Sequence, residues 1–329
     1  MEFRIDGTVI AVNVADAGAL LAEVRARFGR GEGFALATIN LDHVVKLRGS
    51  AAFRAAYAAQ DLVVADGNPI VWLSHLAGRP VALAPGADMV LPLAGEAARA
   101  GVTVALVGST EASLAAAAAA MERLIDGLEI VERIAPPMGF DPEGPGAEEV
   151  FAAIEASGAR LALLALGAPK QEMLAAAGRA RLPAVGFASI GAGLDFLAGT
   201  QRRAPAWVRA VAMEWAWRML SNPGRLAGRY ARSFAVLPGQ VVRALDLPLA
   251  DALRLYLQAF AANIAGACVR LIPLGQTDGQ RITAALAPLC AALAPRAIAA
   301  APDDLGGFVP MADIQSQRHG ALYSRIFRS

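Results

Sequence analysis

Gly167-Ala168-Pro169-Lys170-Gln171-Glu172 decides how the rest of the chain is read. The run before it, Leu161-Ala162-Leu163-Leu164-Ala165-Leu166, has neither alternation nor charge, as a strand covered on both faces of a parallel sheet does. Glycine then turns the chain. Pro169 suits the first helical position, where its missing N–H would go unpaired anyway, and the segment to about Ala180 reads as a helix. A helix N-terminus leaving the carboxyl end of a parallel strand attracts anions, and Lys170 adds a full charge beside it. The chain has only one other lysine, Lys46. The competing reading is an ordinary strand-to-helix turn with a solvated Lys-Gln-Glu.

Working outward, the same strand-then-turn pattern recurs. Phe34 to Asn40 is a buried strand ending in polar residues, and Thr38 and Asn40, two apart, leave one face at its carboxyl end. The plainer alternative is a Thr/Asn pair that satisfies local backbone groups. Leu62 to Ala65 is a strand ending in Asp66-Gly67-Asn68-Pro69, which sets a carboxylate at a strand tip, suited to general-base work or simply to the turn. Asp42 reads as a cap, His43 as structural, and Asp88 in Gly86-Ala87-Asp88-Met89 as a cap near a helix's positive end. Thr103 to Val107 delivers Gly108-Ser109-Thr110 to a helix from Glu111 to about Asp126, and Leu128 to Ala135 is a further strand. A helix at Ala147 to Ser157 leads back to the opening strand. Ala184 to Ile190 is the last strand and empties into Gly191-Ala192-Gly193-Leu194-Asp195-Phe196.

This alternation predicts an α/β fold: a Rossmann-like, mostly parallel sheet with helices on both faces. Ahead of it, Phe3 to Val12 alternates around the hairpin signal Asp6-Gly7, and Asp16 caps a helix to about Phe28. Gly191-x-Gly193 invites a dinucleotide reading, but Phe196 occupies the place of the third glycine, and the pattern follows the last strand rather than the first. A nicotinamide or flavin site is therefore disfavoured, while tight glycine packing near a ribose or phosphate stays open.

From Gly199 to Arg232 the composition changes. Arg202, Arg203, Arg209, Arg218, Arg225, Arg229 and Arg232 stand against one acid, Glu214, among Trp207, Trp215, Trp217 and Tyr230. Arginine forks bind phosphate, and tryptophans sit at lipid headgroup level. The segment reads as short helices, Pro205 to Leu220 and Pro223 to Leu237, with a solvated helical face as the alternative. Nucleic acid is disfavoured because the net charge is only +1. Beyond Pro238, Leu249 to Val269 and Gln280 to Leu293 read as helices, and Ala300 to Ser329 carries no readable motif.

Composition sets the remaining bounds. Cys268 and Cys290, without CxxC or ligand-spaced histidines, argue against a disulfide framework or a zinc site. No uncharged apolar run reaches the roughly 18 to 20 residues of a spanning helix, and the N-terminus lacks a signal-peptide pattern. The expectation is a cytoplasmic protein.

Taken in order, these stations resemble the WecG/TagA/CpsF family of bacterial glycosyltransferases. The matching pieces are Thr38-x-Asn40, Asp66-Gly67, Gly86-x-Asp88, Val107-Gly108, Gly167-x-Pro169-Lys170-Gln171-Glu172, and Gly191-x-Gly193-x-Asp195-Phe196 with Gly199. Arg203-Ala204-Pro205-x-Trp207, Glu214-Trp215-x-x-Arg218 and Pro223-x-Arg225-x-x-x-Arg229-Tyr230 continue them. One departure is Val81-Ala82-Leu83-Ala84-Pro85, which lacks the Arg and Thr usual before Gly86.

The resemblance implies an inverting, metal-independent transfer from a UDP-sugar to a polyprenyl-diphosphate-linked saccharide, at the inner leaflet of the cytoplasmic membrane, in cell-surface or extracellular polysaccharide assembly. It implies Asp66 as base, Thr38, Asn40 and Asp88 at the acceptor sugar, and Gly108, Gly167, Pro169, Lys170, Gln171, Glu172, Gly191 and Asp195 at UDP. Gln171 and Asp195 would meet uridine or ribose, and Glu172 would either join them or hold Lys170. Arg203, Arg218, Arg225 and Arg229 would bind phosphate. No Asp-x-Asp metal motif occurs, so protein cations would neutralise the leaving diphosphate; no cofactor and no metal are expected. The expected organisation is a core over 1–198, an Arg/Trp-rich membrane-touching appendage over 199–245, and a helical extension of unassigned role over 246–329. The resemblance leaves oligomerisation open. The alternatives are a non-catalytic nucleotide-sugar-binding scaffold or sensor, and an NAD-dependent oxidoreductase, which the broken glycine pattern disfavours.

Overall fold

A computed structural model describes residues 1–201, 204–205, 208, 214–221, 223–271 and 275–300. The chain divides into two compact units, Met1–Ala244 and Leu245–Ser329.

The first unit opens with a hairpin, β1 (Glu2–Ile5) and β2 (Thr8–Ala11), turned by Asp6 and Gly7 at φ 45° and 78°. Helix α1 (Ala17–Arg30) follows, and Asp16 caps it by accepting the Ala19 N–H. Then come β3 (Phe34–Ile39), α2 (Leu41–Gly49), α3 (Ala51–Ala58), β4 (Leu62–Ala65), α4 (Asn68–Leu76) and α5 (Gly86–Arg99). The series continues with β5 (Val104–Gly108), α6 (Glu111–Leu124), β6 (Ile130–Ile134), α7 (Pro145–Ser157), β7 (Leu161–Ala165), α8 (Lys170–Arg181), β8 (Gly186–Ser189) and α9 (Gly193–Leu197). Six strands form one sheet in the order β4-β3-β8-β7-β5-β6, every pair parallel.

The charge-free strands are buried on both faces, as their composition predicts. Leu36, Val64, Leu106 and Leu163 face a core shared with Leu20, Leu93 and Leu114 of α1, α5 and α6. Alternate residues Ala162, Leu164 and Phe187 face Phe151 and Leu174 of α7 and α8. Ala37, Ile39 and Val63 pack on Phe53 and Tyr57 of α3 and on the hairpin residues Phe3 and Ile10. Each large side chain so buried contributes about 1.5–3 kcal/mol.

Helix α8 begins one residue later than its sequence suggests, with Pro169 as the N-cap rather than the first helical residue. Beyond α9 the described helices are α10 (Glu214–Ser221) and α11 (Pro223–Ala244). Helix α11 does not stop at Leu237. It runs through Pro238, and its packing against α2 and α4 offsets the ~3 kcal/mol cost of an interior proline.

In the second unit α12 (Leu249–Leu271) packs against α13 (Gln276–Ala299), with Ala265, Cys290 and Ala294 buried. Helix α13 is longer at both ends than Gln280 to Leu293 and passes through Pro288 and Pro295. By length and composition both helices are long and apolar enough to cross a membrane. A search for uncharged runs passes them over because Asp251 and Arg254 interrupt the first and Asp278 and Arg281 the second.

Candidate functional site

All six parallel strands end on one edge of the sheet, the place where open α/β sheets bind ligands. Asp66 leaves the tip of β4, and its N–H donates to Ile39 O of β3 at 2.7 Å. Lys170 opens α8 after β7. Strands β3 and β8 lie between those two tips, so at sheet level they stand about 14 Å apart on the shared edge, three strand spacings.

Thr38 and Asn40 stand beside Asp66 in different roles. Thr38, paired with Val64, is buried at 3% exposure. Asn40 is the N-cap of α2, with Oδ1 accepting the His43 N–H at 3.1 Å, so it does serve a local backbone group. A Cβ added to Gly67, whose φ is 131°, would come within 3.7 Å of the Asn40 Cβ. Asp88 is not a cap: Pro85 holds that position, and Asp88 sits in the first turn of α5, where the helix dipole favours a carboxylate.

The Gly167–Glu172 turn is tied from the far side of the sheet edge. Lys46 Nζ, on α2, donates to Ala168 O at 3.1 Å and pairs with Asp42 at 2.9 Å. Gln171 is 2% exposed. Its Oε1 accepts from the N–H of Gly167 and of Gly191, and its Nε2 donates to Glu172 Oε1, so the amide faces inward rather than toward a nucleotide. Glu172 is likewise fully buried; it holds Gln171, and Oε2 has no partner, so it does not hold Lys170.

Burial of these groups governs their protonation. Desolvation pushes the Glu172 carboxyl up to about 7; the Gln171 hydrogen bond and Lys46 pull against that, and nearby Asp66 adds to it. Tyr57 is raised well above its usual range by burial, then by Glu172 and Asp66. His43, bonded through Nδ1 to Tyr57 Oη at 2.7 Å, is depressed to about 3 by burial, then by Lys46. Asp42, His43, Lys46, Tyr57, Asp66 and Glu172 thus form one electrostatic neighbourhood at the carboxyl edge.

Across the sheet, Asp195 in α9 accepts from Ser109 Oγ on Oδ1 and from Gln201 Nε2 on Oδ2 at 2.8 Å. Ser109 itself has φ 55°, a left-handed conformation uncommon outside glycine. The glycines here do packing work. A Cβ on Gly108 would meet Ala165 O at 2.4 Å, and one on Gly193 would meet Val90 Cγ2 at 2.5 Å, closing the β8–α9 turn onto α5. That close approach accounts for Gly193, and a φ of 59° accounts for Gly191, without a dinucleotide.

Of the appendage arginines, Arg229 points its Nε toward Asp42 at 4.0 Å, with its guanidinium over the Tyr230 ring at 5.4 Å. Arg203 and Trp207 lie outside the described residues, as do the side chains of Arg218 and Arg225. Among the described residues no group of three or more His, Cys, Asp or Glu side chains is disposed to hold a metal ion. A concavity of about 650 Å³ between α3, α7 and α8, lined by Ala55, Phe151 and Met173, contains none of the expected site residues.

Sequence reading passed over Lys46, Tyr57, Ser109 and Gln201. The one signal was Asp42 four residues before Lys46, the spacing of a helical ion pair.

The sequence model of the Glycosyl transferase WecG/TagA/CpsF family matches residues 6–247. The chain belongs to that family, and its expected parallel α/β core is borne out. Among curated proteins it is similar to the urease accessory protein UreF of Rhodopseudomonas palustris strain BisA53, 42% identical over 130 residues, 40% of this chain and 54% of that protein. It is also similar to UreF of Granulibacter bethesdensis, 52% identical over 83 residues, 25% of this chain and 35% of that protein. The chain spans about half the length of the first curated relatives it matches.

Proposed function

We propose that this member of the WecG/TagA/CpsF glycosyltransferases moves a sugar from a UDP-sugar to a polyprenyl-diphosphate-linked saccharide, with inversion and without metal, while bound peripherally at the inner face of the cytoplasmic membrane. The observation that carries the reading is the shared edge: the Asp66 carboxylate on one strand tip and the Lys170 turn on another. Asp66 takes the proton of the acceptor hydroxyl as that oxygen attacks the anomeric carbon; the bond to the UDP oxygen breaks, and Lys170 with the α8 N-terminus balances the departing charge. Asp195, held by Ser109, orients the nucleotide. Incubation with UDP-sugars and a short polyprenyl-diphosphate saccharide should release UDP in the presence of chelator. No turnover over a broad donor panel, despite UDP-sugar binding, would favour the scaffold or sensor instead.

A second reading concerns the unit Leu245–Ser329. The family match ends at residue 247, close to the boundary between the units, and the 83-residue, 52% identical likeness to a urease accessory protein has about the length of that unit. The longer matches of 130 and 131 residues exceed it. We infer that the accessory-protein likeness includes this unit and that sugar transfer does not need it. A chain ending at Ala244 should keep transfer within about threefold of the full chain, roughly 0.6 kcal/mol; loss of turnover in a folded truncation would refute this.

A further inference from the structure

Gln171 and Glu172 support an inference that rests on the nucleotide site just proposed and goes beyond it. Both occupy the inward stripe of α8 with Leu174, Ala175 and Gly178. Gln171 Oε1 accepts from the N–H groups of Gly167 and Gly191 at 3.2 Å each. Those glycines, at φ 71° and 59°, lie in the turns after two neighbouring strands, β7 and β8. One amide therefore spans both turns. Its orientation is dictated: with Oε1 on two donors, Nε2 needs an acceptor, and Glu172 Oε1 supplies it at 2.7 Å. Rotated, the amide would set its NH2 against two N–H groups.

Core packing alone does not account for an acid here, because burying a carboxyl with one idle oxygen costs more than burying an apolar side chain of the same size. Other elements hold the same turn. Gln60 Nε2, two residues past the end of α3, donates to the Glu172 carbonyl oxygen at 2.9 Å, and Lys46 of α2 holds Ala168 O.

We propose that Glu172 is a positioning residue of the donor site: its Oε1 fixes the Gln171 amide, which sets the separation of the β7 and β8 turns and so of Lys170 and Asp195. The groups around it are Lys46, Asp42 and His43 of α2, Tyr57 of α3, and Asp66 at the β4 tip. Burial and Asp66 keep the proton on Glu172 up to about pH 7, against Gln171 and Lys46. Above that a second negative charge forms beside Asp66, and the brace is strained.

The test uses the full chain. UDP affinity is measured from pH 5.5 to 8.5, and amide hydrogen exchange at Gly167 and Gly191 is followed without ligand. Glu172→Ala and Gln171→Ala should each weaken UDP binding and speed exchange at those two amides by about tenfold, with the double variant no worse than either single one. Glu172→Gln keeps the acceptor oxygen; it should bind as the unsubstituted chain does at pH 6 and lose that chain's decline in affinity above pH 7. The proposal fails if Glu172→Ala leaves both readouts unchanged, if Glu172→Gln is as harmful as Glu172→Ala, or if Glu172→Gln keeps the pH decline. Should Glu172→Ala not fold, the pH curve of Glu172→Gln decides. An unsubstituted chain that binds UDP but transfers nothing refutes the transferase reading alone, and one that binds no UDP refutes the donor-site role.

Discussion

Lys46 Nζ lies 3.1 Å from the carbonyl oxygen of Ala168, so the chain's two lysines meet at one turn although 124 positions separate them. Lys46 faces the turn from α2 and Lys170 opens α8 just beyond it. A hydrogen bond from a charged donor contributes about 1.5–3 kcal/mol. Lys46→Met should therefore weaken UDP binding roughly tenfold or more, read by calorimetry. Unchanged affinity would remove α2 from the account of the site.

Asp66→Asn keeps the size of the side chain and removes the base. Turnover should fall about 100- to 10,000-fold, the usual worth of a positioned general base. UDP affinity, measured on the same protein, should stay within about twofold, under half a kcal/mol. Equal losses in both would mean that Asp66 binds rather than reacts.

Gly108→Ala tests the close packing at the β5 tip. Its Cβ would sit 2.4 Å from Ala165 O, at a φ of 117° that alanine rarely adopts. A loss of roughly 2–4 kcal/mol in urea unfolding is expected, because backbone on both sides must shift. A neutral result would show that the β5–β7 seam has slack.

Two buried groups bend the pH dependence of stability in opposite senses. Glu172 titrates near 7 in the folded chain against 4.5 unfolded, so the unfolded chain binds fewer protons between those values. Its contribution is complete below about 4.5 and is lost as pH rises to 7. His43 titrates near 3 against 6.5, so its contribution is complete above 6.5 and is lost as pH falls toward 3. Glu172→Gln should accordingly gain stability over the unsubstituted chain as pH rises, by roughly 1–3 kcal/mol at pH 8 relative to the difference at pH 4. Denaturant unfolding at both values measures it, and a pH-independent difference would contradict it.

Much of the site was present in the primary pattern, and one part was missed though it was visible there. The charge-free strand Leu161–Ala165 and the turn after it announced a parallel strand feeding a helix, and the ordered motifs announced the family. Gln171 was expected to meet uridine or ribose, and Glu172 to join it or to hold Lys170. Carrying the buried positions Leu174, Ala175 and Gly178 back by three, four and seven residues respectively lands on Gln171 each time, which puts that amide on the inward stripe. Helical spacing would have found it. Ser109 and Gln201, by contrast, reach Asp195 from 86 and 6 residues away through side chains alone, and no spacing rule joins all three.

The sequence by itself determined the α/β class, the hairpin at Asp6-Gly7, the strand tips carrying Asp66 and Thr38, and membership of the family. These are local or periodic properties: burial on both faces removes alternation, and turns need glycine or a cap. Only the tertiary structure decided the strand order, which seats β3 and β8 between Asp66 and Lys170, and the pairing of the Gln171 amide with Gly191. Which strands neighbour one another, and which donor meets which carbonyl, depends on how helices pack over a shared sheet, and distant segments of the chain settle that together.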